Sequence, residues 1–319
     1  MTNSKQADLL DFNRDNDRRY SEGANVPHNK DAMARLHKRV IRATDIAAQF
    51  WCEKQMELSY LYGRKESAEM RSGSAAHKEI ESIINVPVKL KPKSYADSLY
   101  KNLYSSYIAV HTLPERGVAR EISIYGSANG FKLAGKIDEI RMESGSFYIY
   151  EDKTKKSDQE PTEAQLASHR VQVELYVKMV NEIRSGVYGF DNFLNSYNIA
   201  GMELTSEFEH QLEEMEIEEE ARSIEGIVRM YFSSIKDSGA VAKKAYLRYL
   251  NSITGNIIKI YSVDYDEKVF AEKLKYAMAY WRGEREALPV PESEKWKCNY
   301  CPFFGKQCVV WYTEKQRVL

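Results

Sequence analysis

FKLAGKIDEIRMESGSFYIYEDKTKK, residues 131–156, reads as two strands joined by a tight turn. Alternation places Ala134, Lys136, Asp138 and Ile140 on one face of the first strand and Ile149, Glu151 and Lys153 on one face of the second, with Ser144-Gly145 as the turn. Two carboxylates and an ammonium converging on a half-buried sheet cost free energy unless they pair with one another or hold a metal ion. Asp138, Glu151 and Lys153 therefore point to a site for a hard cation. Alone, they are equally compatible with exposed polar positions of an ordinary hairpin, so the rest of the chain has to decide.

At 319 residues the chain can bury a large core, as one elaborated domain or a domain with a helical addition. No apolar run is long enough to span a membrane. The first residues, MTNSKQADLLDFNRDNDRRYSEG, lack the apolar stretch of a signal peptide and are rich in Asp. The expectation is an intracellular protein, cytoplasmic, or nuclear or mitochondrial in a eukaryote. A net charge of −1 conceals an uneven distribution: residues 207–220, EFEHQLEEMEIEEE, hold eight Glu and no Lys or Arg. That run reads as a solvated helix face and leaves room for a basic groove elsewhere. Several of the 22 tyrosines lie beside basic residues, as in LYKNLYSSY (99–107) and KKAYLRYL (243–250). Most read as core-edge residues, although aromatic faces next to cations also suit a single-stranded polynucleotide.

The predicted layout is helix, sheet, helix. Residues 31–42 read as helical, and Thr44-Asp45 as the cap of a second helix through Tyr62 that contains Trp51 and Cys52. Further helices are expected at about 66–85 and 94–112, and strands near 119–125, 131–140 and 146–153. Pro161-Thr162 with Gln165 forms a capping box for a helix reaching about 184. The acidic helix, a hairpin turning at Thr254-Gly255, a helix from Asp266 to Arg285 and a Cys-rich ending complete the chain.

Gln172 and Tyr176 share one face of the helix after the strands, and Gly73-Ser74-Ala75-Ala76-His77 lies on the helix before them. With Gly135-Lys136-Ile137-Asp138 and Glu151-Asp152-Lys153 these form an ordered set. The set resembles the PD-(D/E)xK nuclease superfamily, in its branch with G-x-x-x-H before the sheet and Q-x-x-x-Y after it; Ile137 stands where the "PD" proline would be. The resemblance implies an α/β fold with a restriction-endonuclease-like core sheet flanked by helices. The four cysteines, Cys52, Cys298, Cys301 and Cys308, favour metal over disulfides in an intracellular chain, and spacing alone leaves zinc and a [4Fe–4S] cluster open. One cysteine before the nuclease motifs and three after them resembles the iron–sulfur staple of cluster-bearing nucleases.

Among these, the chain is most similar to the exonuclease V family over about residues 40–310, through TDIAAQFWCEKQMELSY (44–60), RSGSAAHKEIE (71–81), REISIYG (120–126), GKIDEIR (135–141), EDKTKK (151–156), QVELY (172–176) and AYWRGEREALPVPESEKWKCNYC (279–301). The resemblance implies one domain over 31–319 after a polar stretch 1–30. Its parts are a catalytic core at about 66–200, helical elaborations at about 201–285, and a cluster segment 289–319 stapled to Cys52. Asp138, Glu151, the backbone carbonyl of Asp152 and His77 are then the expected ligands of Mg²⁺ or Mn²⁺, the His77 nitrogen favouring Mn²⁺. Lys153 would orient or deprotonate the attacking water, and Gln172 and Tyr176 would hold Lys153 or the DNA backbone. The implied function is a metal-dependent exonuclease cutting single-stranded DNA from a free end in repair or replication. It would act as a monomer without a membrane, with a single-strand-binding protein as a further partner. The rivals are a CRISPR-adaptation-type or structure-specific endonuclease, and a non-catalytic nucleic-acid-binding protein with a structural metal.

Overall fold

The computed structural model describes residues 31–63, 89–143, 146–238 and 244–309. The expected helix at 66–85 with Gly73 and His77, the Ser144-Gly145 turn and the polar stretch 1–30 lie outside the described residues. The fold is mixed α/β, a six-stranded sheet flanked by helices. No helix among the described residues is long and apolar enough to cross a membrane.

The chain enters through a short helix α1 (Ala32–Arg35) and a two-residue strand β1 (Ile41–Arg42). The expected helix over 31–42 is thus corrected: His37 adopts φ 51°, and the Lys38 N–H closes back on the Met33 carbonyl at 2.8 Å, a left-handed helix end made without glycine. Helix α2 (Ala43–Tyr62) follows at once. Its N-cap is Arg42 rather than Thr44, and the Asp45 carboxylate accepts from the Arg42 N–H at 2.7 Å. Helix α3 (Tyr95–His111) is capped reciprocally by Ser94 and Asp97, and a single turn α4 (Leu113–Arg116) leads into the sheet.

Strands β2 (Val118–Ala128) and β3 (Phe131–Glu143) form a long antiparallel hairpin. Its turn is Asn129-Gly130, both at positive φ, which matches the twist of the strands. Strand β4 (Ser146–Lys155) runs antiparallel to β3, and β5 (Lys244–Asn251) lies parallel to β4. Strand β6 (Ile257–Asp264) closes the sheet as a hairpin with β5 around Gly255, at φ 73°. Two strands of the sheet therefore lie beyond residue 200, as the hairpin expected around Thr254-Gly255.

Between β4 and β5 come four helices: α5 (Glu163–Arg184), α6 (Phe190–Tyr197), α7 (Ser206–Glu214) and α8 (Ile224–Asp237). Helix α9 (Glu267–Trp281), capped by Asp266, and a 3-10 segment (Glu292–Tyr300) end the described chain. The capping box at Thr162 and Gln165 sets the start of α5, the Gln165 amide oxygen accepting from Thr162 N–H at 3.0 Å. Helix α5 is the central helix, packed against α2, α8, α9 and strands β2, β4 and β5. In the acidic run, Phe208 and Leu212 are buried while the Glu side chains face out, and Phe208 meets Tyr100 edge-on at 5.5 Å. The run is not one helix: α7 stops at Glu214, Glu216 takes φ 53°, and a 3-10 turn (Glu219–Arg222) intervenes. Tyr100 is core, its hydroxyl donating to the Ala221 carbonyl at 2.6 Å.

Candidate active site

The site is a gap in the sheet. One edge of β3 is shared: Glu139–Glu143 pair with β4, while Leu133 and Ala134 pair with β1. Between them, among the described residues, 135–137 pair on the β2 edge only, because β4 departs after the Glu139↔Tyr150 pair and continues along β5. Backbone groups left without a ladder need other partners. Asp138 supplies one, its Oδ2 accepting the Asp152 N–H at 2.7 Å across the gap. The N–H and C=O of a strand residue face the same edge, so the Asp152 carbonyl faces the gap while its side chain leaves from the other side of the sheet. Opposite Asp138, Glu121 of β2 adopts φ 57°, an uncommon conformation for a residue with a Cβ, and pairs with Lys136 at 2.6 Å.

Helix α5 closes the gap from one side. Its Tyr176 ring packs against Gly135, where an added Cβ would lie 2.5 Å from the ring Cε1. Gln172, one turn earlier, donates from Nε2 to the Tyr176 hydroxyl at 2.9 Å and to Glu151 Oε1 at 2.6 Å. Lys153 Nζ donates to the same Glu151 oxygen at 2.8 Å and to Gln172 Oε1 at 2.9 Å. Asp138, Glu151, Lys153, Gln172 and Tyr176 thus converge from β3, β4 and α5. The other Glu151 oxygen, Oε2, is buried without a hydrogen-bond partner among the described residues. Burial first, then the Asp138 carboxylate, push the Glu151 carboxyl from its ordinary 4.5 up to about 8, against the pull of Lys153. Burial also holds the Tyr176 hydroxyl well above its usual range.

Two features escaped the sequence reading. His169 lies on the same face of α5, its Nδ1 2.6 Å from the Tyr249 hydroxyl; burial and the Lys153 charge depress its pKa to about 3, so the ring is neutral. Arg120, Glu139, Asp152 and Arg248 form a buried ionic group behind the site. Its signal was an Arg within each of the strand patterns VAREISIYG (118–126) and AYLRYL (245–250), in phase with residues that the strand buries.

The four cysteines, up to 256 positions apart in sequence, line one cavity with Gln55, Leu58, Pro289, Val290, Lys297 and Phe304. Helix α2 breaks at Cys52, whose backbone is extended at φ −168°, and the Gln55 N–H points at Cys52 Sγ at 3.4 Å. Burial is the main reason the Cys52 thiol is pushed up to about 11; Cys301 and Cys308 add to it. Among the described residues, no three His, Cys, Asp or Glu side chains are drawn together closely enough to hold an ion as they stand. The N- and C-terminal parts are also joined without the thiols: Arg285 forks onto the buried Glu53 carboxylate, Lys54 N–H donates to the Leu288 carbonyl at 3.1 Å, and Trp281 Nε1 donates to Gln49 at 2.8 Å.

Comparison with known proteins gives one family, described as exonuclease V, a 5′ deoxyribonuclease, which matches residues 33–146, 142–229 and 228–312. The chain is 25% identical over 288 residues to exonuclease V of Danio rerio, covering 84% of this chain and 70% of that protein. The crystal structure of SSO0001 aligns over 83% of both chains at 14% identity with a TM-score of 0.37, a likeness too low to carry an argument.

Proposed function

The chain belongs to the exonuclease V family, and from that membership we propose a metal-dependent exonuclease that hydrolyses single-stranded DNA from a 5′ end. The observation that carries the reading is the buried Glu151 Oε2, a carboxyl oxygen with no hydrogen-bond partner among the described residues, beside a second carboxylate, Asp138. Burying such a group is costly unless something outside the protein's own hydrogen-bond set occupies it. Two carboxylates and a backbone carbonyl suit Mg²⁺ or Mn²⁺, which keep several waters and use few protein ligands. The motif order and the forked sheet support a PD-(D/E)xK core, with His77 as a further ligand. An ion held there supplies activation of water and neutralises charge on the phosphoryl oxygens.

The protein's own residues do the rest. Asp138 is fixed by the Asp152 N–H, and Glu151 by Lys153 and Gln172. Lys153, partly exposed, has a remaining donor direction with which to orient the attacking water and offset phosphate charge. Gln172 keeps the ammonium in place and is itself held by Tyr176. Hydrolysis adds hydroxide to phosphorus and returns a proton to the departing sugar oxygen, so water is consumed and no other reactant is needed.

Four thiols on one apolar cavity suit a [4Fe–4S] cluster as a structural element. Cys52, Cys298, Cys301 and Cys308 would hold it, and protein purified without oxygen is expected to carry iron and sulfide in near-equal amounts. The test of the activity is incubation of 5′- and 3′-labelled single strands with Mg²⁺ or Mn²⁺. Lys153→Ala is expected to lower the rate on the order of 10²-fold or more with single-strand binding retained. Cleavage at the normal rate by that variant overturns the assignment.

A further inference from the structure

Behind Glu151 and Lys153, each of four adjacent strands contributes one charged residue to a buried ionic group: Arg120 (β2), Glu139 (β3), Asp152 (β4) and Arg248 (β5). None is more than 8% exposed. Arg248 donates from Nε and Nη2 to Asp152 at 2.7 and 2.9 Å, and from Nη1 and Nη2 to Glu139 at 3.1 and 3.0 Å. Arg120 bridges the same two carboxylates, meeting Asp152 at 2.8 Å and Glu139 through its other terminal nitrogen. Arg141 adds a further bond to Glu139 at 2.6 Å.

Stability does not account for such a group. Desolvating four charges largely offsets their attraction, and well-packed apolar residues of similar volume often serve as well or better. Its position is more informative. Glu139 belongs to the last pair before β3 and β4 part, and Asp152 is the residue whose N–H crosses the gap to Asp138. At that point the ladder bonds that would fix strand spacing are missing, and two planar guanidinium forks span the break instead.

We infer that Arg120 and Arg248 are positioning residues for the hydrolysis: by clamping Asp152 to Glu139 they fix the width of the gap, and with it the separation of Asp138 and Glu151. The inference rests on the reading of those two carboxylates as ligands of the divalent ion. Arg248→Lys keeps the charge but cannot span two carboxylates. The pair Arg248→Met with Asp152→Asn removes one charge of each sign and leaves Arg120 on Glu139.

The experiment is a calorimetric titration of the full-length protein with Mn²⁺ alone, beside the Mn²⁺ dependence of cleavage, with circular dichroism to establish folding. Both variants are expected to bind Mn²⁺ roughly 10- to 100-fold more weakly and to need correspondingly more for half-maximal rate, while single-strand affinity stays within about twofold of normal, as a gap-width effect requires. Normal Mn²⁺ binding by folded Arg248→Lys means that charge balance suffices and overturns the inference, even if the paired variant fails to fold. Normal binding by the folded paired variant overturns it as well. Glu151→Gln, run in parallel, separates the two readings: if it binds Mn²⁺ and cleaves normally, the metal site itself is misassigned; if it is inactive while the clamp variants are normal, only the clamp falls.

Discussion

On the reading of Glu151 as a ligand of the proposed divalent ion, it has to lose a proton to bind, and burial together with the neighbouring Asp138 carboxylate raises its pKa to about 8. Binding of Mg²⁺ or Mn²⁺ below that pH therefore releases a proton, and the half-saturating metal concentration is expected to fall as pH rises toward 8 and then level off. Titration of the metal in two buffers of different ionisation enthalpy checks this; the absence of proton release at pH 6.5 contradicts it. Without metal the sign is opposite for the fold: between the ordinary 4.5 and 8 the native state holds a proton that the unfolded chain has lost, so Glu151 erodes stability as pH rises through that window. Gly135 is the other residue with a sharp expectation. A methyl there meets Tyr176 at 2.5 Å and Ala43 at 3.3 Å, and Tyr176 is buried and bound to Gln172, so it cannot give way freely. Gly135→Ala is expected to cost about 1–3 kcal/mol in a denaturant melt and to lower cleavage through Gln172, whereas unchanged stability and rate would show that α5 slides without consequence.

Helix α2 is where an element's own propensity loses to a tertiary demand. Residues 43–62 form one helix by pattern, yet the backbone opens at Cys52 and turns the thiol into the cavity it shares with Cys298, Cys301 and Cys308. The residue after the break is held hard: Glu53 is buried, takes both terminal nitrogens of Arg285, and accepts the Leu288 N–H at 3.0 Å. Removing the partly exposed Arg285 leaves the buried Glu53 carboxylate short of its strongest donors, at a cost of about 1–3 kcal/mol. Arg285→Met is therefore expected to loosen the break, to speed alkylation of Cys52 in metal-free protein, read by mass spectrometry, and, on the proposed cluster reading, to lower bound iron per chain. Alkylation as slow as in the parent would show that Cys52 is placed by its own helix.

At the scale of the molecule, the site is reached through few exposed atoms. Glu151, Gln172 and Tyr176 are buried, and access is by way of half-buried Asp138 and Lys153. On the proposed single-strand reading, a duplex has to melt its pairs to reach the site, at about 1.4 kcal/mol per step. Linear single strands are thus expected to be shortened, with a steep inverse dependence on salt. Circular single strands and blunt duplex are expected to resist. Rapid nicking of a circular single strand at the same enzyme concentration would favour an endonuclease. In acid a different part of the molecule responds. Burial alone would raise the carboxyls of Glu139 and Asp152, but the hydrogen bonds and charges of Arg248 and the other guanidiniums outweigh it and hold both below their ordinary range. Their contribution is complete above that range and is lost as pH falls through the depressed values.

What the sequence determined by itself was whatever rests on short-range rules. The alternation in 131–143 and 146–155, the reciprocal cap at Thr162 and Gln165, and the glycine turn at 255 each involve neighbours within a few residues, so their physics is local and legible. The i to i+4 spacing of Gln172 and Tyr176 put them on one face for the same reason. Tertiary structure decided what depends on distant partners. Ile41 and Arg42 form a strand only by pairing with Leu133 and Ala134, and the acidic run seats Phe208 on Tyr100 before its helix ends at Glu214 and the chain turns at Glu216. Arg120 and Arg248 are tolerable inside a sheet only when Glu139 and Asp152 arrive from two other strands, an energy that no window along the chain contains.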